Sequence, residues 1–402
     1  MLVKNFFFIK LYFFIISVFA LSNIFRFFKT HDGFRFADWL INYEAGFVRR
    51  GLFGLLLNNL SDLTGVRIEL LYLLLISFFY LLFFYLTFCL IKKNVIRKDF
   101  LLLILSPLSF HFIIFETRAT AGKEILLFVF FIILIFFFIK KIKLLYTFLY
   151  FHIFSILILL SHEALAFFFS FIYLFLLLLQ NNKNYLIIRY NIIFSIFFLT
   201  ISLFFLYFYS GTADQVRIIC NSLYQKNIII RHCDNLEVGH SAIAFLQSGT
   251  VKNNIYFTTV LEQITKNNYL LTYFISFLVS FFPIFNSIKI IKKKNIFLKF
   301  SFFQYLIACF FFILPVFVAL DWGRWLHISY ILIILIIFAG IELKYFTINY
   351  NKSLLRFIKK KYLLFIFILY FFLIDVPLCC TNRVLSPFES IYNRIDYFIN
   401  KN

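Results

Sequence analysis

The 402-residue chain is 63% hydrophobic and only 14% charged, with 66 Phe and 5 Pro, and its mean hydropathy is +0.93. A soluble domain is about half apolar and about a quarter charged, so composition excludes a water-soluble fold and predicts an all-α polytopic membrane protein. The formal net charge of +21 would ordinarily suggest nucleic acid as a partner; here it is read as topogenic, because it gathers in alternate loops.

The first apolar stretch, about 6–25, lacks a small-residue cleavage site and is too long for a signal-peptide core, so it is read as the first spanning helix. Further runs lie at about 70–91, 100–115, 124–139, 144–161, 164–179, 191–209, 269–288, 300–319, 326–343 and 362–378. Helical runs of this size cross a hydrocarbon layer of about 30 Å. Eleven spans are predicted, within a range of ten to twelve, since short runs can tilt, merge or re-enter. No linker and no internal repeat divides the chain, so residues 1–402 form a single transmembrane domain with one large periplasmic loop at 210–268. In that loop "SAIAFLQ" and "FTTVLEQITKN" have the periodicity of amphipathic helices lying on the outer leaflet. Cys220 and Cys233 share the loop, either as a disulfide or as two free thiols. Cys89 and Cys309 fall in helices and read as packing residues.

Orientation follows from Lys and Arg. Placed inside with the N-terminus and the adjoining Asp99, Glu342 and Lys344, "KKNVIRK", "KKIK", Lys183 to Arg189, "KIIKKKNIFLK" and "KSLLRFIKKK" bring 22 of the 39 basic residues and only those two acids to one face. The other face keeps 17 basic and 16 acidic residues. It also receives nearly every stretch that looks like chemistry, away from nucleotide-sugars and ATP.

Four such stretches stand out. "NYEAGFVRRGLFG" (Asn42 to Gly54) sets Gly46, Gly51 and Gly54 around Arg49 and Arg50. Glycines permit close backbone approach, and guanidinium forks suit phosphate oxygens. Lipid headgroups are the simpler partner. An outer-face pair runs against the positive-inside tendency, however, and "HDGFRFADW" just upstream adds Asp32, Asp38 and Trp39, which favours a site. "ETRATAGKE" supplies Glu116, Arg118, Lys123 and Glu124, either paired among themselves or forming a second cationic clamp. "SHEA" sets His162 beside Glu163, whose carboxylate at a helix end reads either as a general base with a raised pKa or as part of a helix-end cap. "ALDWGRW" flanks Asp321 and Arg324 with Trp322 and Trp325, where the chain leaves a helix. These indoles fit either an interfacial belt or a sugar-stacking surface. His111 and His152 lie in apolar runs and read as satisfied core residues. No P-loop, GxSxG, HExxH or dinucleotide fingerprint occurs, and no cofactor or metal is expected.

The anion that suits these arginines is the phosphate or pyrophosphate of a lipid-linked sugar. Such a leaving group needs cations more than an acid, and a carboxylate or histidine would take the proton of the attacking hydroxyl. The candidate bases are Asp38, Glu44, Glu163 and Asp321, with Asp38 the first choice and Glu163 beside His162 the second.

In length, Phe/Ile/Leu-rich composition, span number and large outer loop the chain resembles bacterial O-antigen or exopolysaccharide polymerases of the Wzy type. "NYEAGFVRRGLFG" and "DWGRW" are its most distinctive stretches. The resemblance implies an inner-membrane glycosyltransferase with a periplasmic active face. Such an enzyme joins repeat units carried on undecaprenyl pyrophosphate, and Arg49, Arg50, Arg118 and Arg324 would be functional. The repeated Arg/Gly pattern found in the long loop of some members is missing here. Expected partners are the lipid-linked oligosaccharide and membrane lipids, with a chain-length regulator as a further candidate and no nucleic acid. A GT-C type glycosyltransferase, with Asp32, Asp38 and Glu44 on its first outer loop, is the alternative that a divalent metal would favour. A lipid-linked oligosaccharide flippase ranks third, because it would place ionisable groups deep within the helices and show internal symmetry.

Overall fold

The computed structural model describes residues 2–30, 33–92, 98–179, 184–230, 232–235, 241–247, 260–265, 269–290, 302–313, 321–348 and 376–377. Most of the eleventh apolar run, most of the basic segment at 289–299, the whole of that at 352–361, Asp32 and the tail lie outside these residues.

The described chain is a helical bundle. α1 (Leu2–Thr30) leads into two short helices, α2 (Gly33–Leu40) and α3 (Leu52–Thr64), before the long α4 (Ile68–Ile91) packs back along α1. α3 stops at Gly65, whose left-handed backbone (φ +67) lets its N–H bond to Ser61 O. α5 (Lys98–Ile104), α6 (Phe112–Phe115) and a 3-10 turn (Thr117–Ala121) lead to α7 (Glu124–Ile139) and α8 (Leu144–Ser161). A second 3-10 turn (Glu163–Phe168) runs directly into α9 (Phe169–Leu178), followed by α10 (Tyr185–Phe208) and α11 (Ala213–Gln225). Further along, the described residues include α12 (Tyr269–Ser287), α13 (Phe302–Ile313) and α14 (Trp322–Glu342). One short antiparallel pairing, Ile288–Ile290 with Phe346–Ile348, joins the ends of α12 and α14.

Five of the described helices are long and apolar enough to cross a membrane: Phe7–Arg26 within α1, α4, α8, α10 and α14. Three shorter apolar helices, Glu124–Ile139, Glu163–Leu178 and Leu270–Ile284, stand beside them. A helix apolar all round belongs either in a core or in lipid, and burial separates the two cases. The apolar window of α14 is 89% buried, against 22% in α10. α14 is therefore the central post, packed on α4, α7, α9 and α12, while α10 presents Phe197, Phe204 and Phe208 outward.

The run at 100–115 is not one helix. Pro107 has no N–H and disfavours helical backbone at Ser106, and the chain breaks between α5 and α6. Irregular backbone in an apolar surrounding is tolerable only where protein satisfies its polar groups, and here neighbouring helices do so. From α1, Tyr12 Oη donates to Ile104 O (2.9 Å) and Asn23 Nδ2 to Ile113 O (2.9 Å). From α14, Tyr330 Oη donates to Leu103 O (2.8 Å) and His327 Nδ1 to Leu108 O (2.9 Å). A carbonyl only accepts, so His327 carries its proton on Nδ1.

The loop readings change as well. Cys220 and Cys233 form a disulfide that ties α11 to the chain beyond it. α11 opens with a reciprocal cap between Thr212 and Gln215 of the kind that satisfies two orphan donors. "SAIAFLQ" is no leaflet-lying helix: Ser241 to Ala244 and Leu246 are buried, and only a 3-10 turn (Ala244–Gln247) forms. Of "FTTVLEQITKN", residues 260–265 are described, and they are helical.

Candidate functional site

The polar stretches converge at one end of the bundle, where α1 ends and where α7 and α14 begin. α2 carries Arg35 and Asp38 one helical turn apart, so both project from one face, and both are buried. The loop after α2 is held by close contacts: a Cβ on Gly54 would run into the carbonyl of Ile41, and one on Gly51 into the ring of Tyr43. Arg50 sits in left-handed backbone (φ +68). That conformation costs a non-glycine residue about 1–3 kcal/mol and persists where surrounding contacts enforce it, often at functional sites.

Those contacts are ionic. Arg50 Nε lies 2.8 Å and 3.1 Å from the two oxygens of Glu163, and Arg50 Nη2 donates to Oε1 at 2.6 Å. Arg49 Nη1 approaches the same Oε1 at 3.4 Å, and its Nη2 donates to Phe245 O at 3.3 Å. Arg50 Nη1 also reaches Asp38 Oδ1 at 3.5 Å, while Lys123 Nζ lies 3.6 Å from Oδ2. Lys123 has no exposed side-chain surface, and its ammonium donates to Arg50 O (3.3 Å) and Ser161 O (3.0 Å) as well. An ammonium has three N–H bonds, and all three face protein acceptors. In this arrangement Lys123 braces the site, with its ammonium fully engaged by protein acceptors.

A second group continues the first. Arg324 donates to Glu124 Oε2 from Nη2 (2.8 Å) and Nε (3.2 Å), and from Nη1 to Asp321 Oδ2 (3.3 Å). Arg35 Nη2 meets that same Asp321 oxygen at 3.1 Å. Glu124 Oε1 is buried with no hydrogen-bond partner among the described residues. Gly122 is packed so tightly on the Glu124 carboxylate that a Cβ would overlap it.

Charge and burial set the proton affinities. Burial alone would raise the Asp38 pKa, but Lys123 and Arg50 outweigh it and hold the carboxyl at about 2. Burial pushes the Lys123 ammonium down to about 8, against the pull of Asp38. Burial likewise opposes the charge on Asp321, and Arg35 and Arg324 still lower its pKa. His162 is driven well below its usual value by burial and then by Arg50 and Arg324, so it is a neutral imidazole. Its Nδ1 has no partner among the described residues.

Several expectations change in the structure. The Glu163 carboxyl does not have a raised pKa: burial opposes its charge, but Arg50 and Arg49 hold it well below its usual value. Arg118 is exposed and pairs with Glu116 two residues back (3.2 Å), outside the buried network. Glu44 is exposed. "DWGRW" lies at a helix start: Asp321 precedes α14, and Trp322, Arg324 and Trp325 occupy its first turn. The three indoles are packed against protein and are not open stacking surfaces. Trp39 donates to Ala121 O (2.8 Å) between Phe53 and Tyr72, Trp322 meets Tyr273, and Trp325 lies between Phe168 and the Arg324 guanidinium. Two network members, Arg35 and Glu124, were not among the expected site residues. The helical spacing to Asp38 is the signal that could have found Arg35, whereas Glu124 shows only its position next to Lys123.

A family model described as "Uncharacterised membrane protein Rv1490" matches residues 7–265, about two thirds of the chain. The chain belongs to this family of membrane proteins. The region shared with the Rv1490 family contains Asp38, Arg49, Arg50, Lys123, Glu124, His162 and Glu163, and ends before Asp321 and Arg324. No curated protein and no solved structure matches the chain.

Five cations (Arg35, Arg49, Arg50, Lys123, Arg324) thus stand against four carboxylates (Asp38, Glu124, Glu163, Asp321), which leaves one positive charge beside a neutral histidine. Such a network is suited to oxyanion exchange: a phosphate can replace a carboxylate on the same guanidinium fork. The displaced carboxylate, relieved of its cation, gains proton affinity.

Proposed function

We propose that this protein is a glycosyltransferase of the bacterial inner membrane that polymerises oligosaccharide units carried on undecaprenyl pyrophosphate, as in O-antigen or exopolysaccharide synthesis. The observation that carries the reading is the convergence of Arg49 and Arg50 on the single carboxylate of Glu163, next to buried Asp38. The positive-inside distribution of Lys and Arg supports about eleven spans and a periplasmic position for the site.

In the reaction, a hydroxyl oxygen of the acceptor sugar bonds to the anomeric carbon of the donor unit. The bond from that carbon to the pyrophosphate oxygen breaks, and the pyrophosphate departs with the electron pair. Arg49 and Arg50 neutralise this leaving group. The proton passes to a carboxylate of the site: Asp38 first, and Glu163 once a phosphate has displaced it from Arg50. With Arg50 engaged by substrate, the Asp38 pKa rises from its resting value, which makes it a better acceptor of that proton.

The test uses membranes supplied with lipid-linked repeat units and no nucleotide-sugar. Arg50→Ala should insert and accumulate yet make no long chains, and Arg50→Lys should not restore them, because an ammonium lacks the planar fork. Long product from Arg50→Ala would reject the clamp. A second reading, a GT-C type enzyme using a polyprenyl-phosphate sugar, is favoured by one feature. Asp38 lies on the first short helix after α1, at the centre of the network. A requirement for that single-sugar donor would replace the polymerase with this alternative.

A further inference from the structure

The backbone that carries the arginine clamp is gripped by the segment that follows α10. Arg49 N–H donates to Tyr209 O (3.0 Å), Arg49 Nη2 donates to Phe245 O (3.3 Å), and Gln215 Nε2 of α11 donates to Ala45 O (3.2 Å). Phe47 packs against Phe205 and Tyr209, with ring centres 5.9 and 5.5 Å away. The gripping segment is itself tied down. The Cys220–Cys233 disulfide joins α11 to the stretch around Asp234, and Asp234 O accepts from Gln247 Nε2 (3.3 Å) in the turn that presents Phe245. Lys226, just past α11, pairs with Asp62 of α3 (2.8 Å).

A guanidinium on a long, flexible stem loses much rotational freedom when it binds an anion, and affinity rises when the protein has restricted that freedom in advance. Arg49 is held at its backbone by Tyr209, just ahead of α11, and at its side chain by Phe245, in the turn that the disulfide secures. We propose that α11, the stretch around Cys233 and the turn Ala244–Gln247 form a positioning strap for Arg49, complete only when Cys220 and Cys233 are oxidised. This rests on the reading above, since it adds a redox condition to the same clamp. Closure takes two protons and two electrons from the two thiols, and a disulfide-bearing oxidant accepts them by thiol–disulfide exchange. Such oxidants prevail outside the cytoplasm, so the clamp stays incomplete until this segment has left it. With the strap open, Arg50 keeps its own bonds to Glu163, so anion binding is weakened and not abolished.

The experiment is calorimetric titration of the purified full chain in lipid nanodiscs with farnesyl pyrophosphate, below the melting temperature of every variant, using farnesol as the control for lipid-tail binding. A phosphine reductant, which opens the disulfide to two thiols while taking up the oxygen of a water, should weaken pyrophosphate binding about tenfold, the scale of ordering one long side chain. Oxidised glutathione should restore it. Serine at both Cys220 and Cys233 should bind as the reduced protein does and no longer respond to reductant; if that variant does not fold, reduction of the folded wild type carries the comparison. In Arg49→Gln the effect of reductant should largely vanish, because the strap then has no guanidinium to position. Equal affinity in the oxidised and reduced wild type would make the disulfide a staple of the loop alone, overturning the strap and leaving the clamp standing. A tenfold loss that persists in Arg49→Gln, or tighter binding on reduction, would overturn the strap as well. Absence of pyrophosphate binding by folded, oxidised wild-type protein would overturn clamp and strap together.

Discussion

Replacing Lys123 with Met removes a buried charge at nearly constant volume. Lys123 Nζ faces Asp38 at 3.6 Å, Ser161 O at 3.0 Å and Arg50 O at 3.3 Å. Removing one partner of a buried ion pair costs about 3–5 kcal/mol, because the other charge stays buried and uncompensated. Asp38 retains Arg50 at 3.5 Å, which puts the expected loss at the low end, about 3 kcal/mol. In a large chain each kcal/mol lowers the melting temperature by about 2 °C, so Lys123→Met should melt about 6 °C earlier. Trp39 lies 5.9 Å from the ammonium, which makes tryptophan fluorescence in nanodiscs a suitable readout. Asp38→Asn in the same chain removes the stranded charge, so the double variant should regain about 2 kcal/mol relative to the sum of the singles. A Lys123→Met protein as stable as wild type, with no coupling to Asp38→Asn, would refute the bracing role of Lys123.

Gly122→Ala drives a methyl group into the Glu124 carboxylate and should cost about 1–3 kcal/mol by overpacking, with Glu124→Gln in the same chain failing to relieve it; an unchanged melting temperature would count against the close contact. Acidification should expose Asp38: its folded pKa of about 2 lies below the ordinary 3.8, so its stabilising contribution, about 2 kcal/mol, is complete above about pH 4 and fades between 4 and 2. The melting-temperature gap between wild type and Asp38→Asn should narrow over that window, and a constant gap would contradict the assignment. His162, lowered well below 6.5 by burial, leaves the unfolded chain binding the extra proton, so stability should fall as pH drops below about 6.5 and His162→Gln should lessen the fall. Serine at both Cys220 and Cys233, which are 13 residues apart, should cost about 3 kcal/mol, measured by the same melt under non-reducing conditions.

The membrane class is legible in the sequence because an apolar run declares itself locally, whatever its neighbours. Asp38, Arg49, Arg50, Lys123, His162 and Glu163 are legible for a related reason: charges are conspicuous in a chain this apolar. Their partners are not. Arg50 and Glu163 lie 113 residues apart, and Arg324 and Glu124 lie 200 apart; only tertiary packing decides which cation finds which acid. The same gap explains the tryptophans. An indole beside Arg324 looks like a sugar platform until α14 proves to be the centre of the bundle and its first turn is enclosed. The interruption at Pro107 was readable from "LSPLSFH", a proline among serines, but a run of flanking leucines and phenylalanines masks it in any average of hydropathy.

That interruption also bears on how the chain is made. Its carbonyls are held partly by Tyr12 and Asn23, some 90 residues earlier, and partly by His327 and Tyr330, 219 and 227 residues later. A nascent chain that has just delivered the segment to the bilayer has only the first set of donors. A buried carbonyl without a partner costs several kcal/mol, so the segment is fully satisfied only once α14 is in place. Insertion therefore cannot be completed helix by helix in order of synthesis. The arrival of α14 is the event that closes the bundle around the segment. A chain ending before α14 would lack the donors for Leu103 O and Leu108 O.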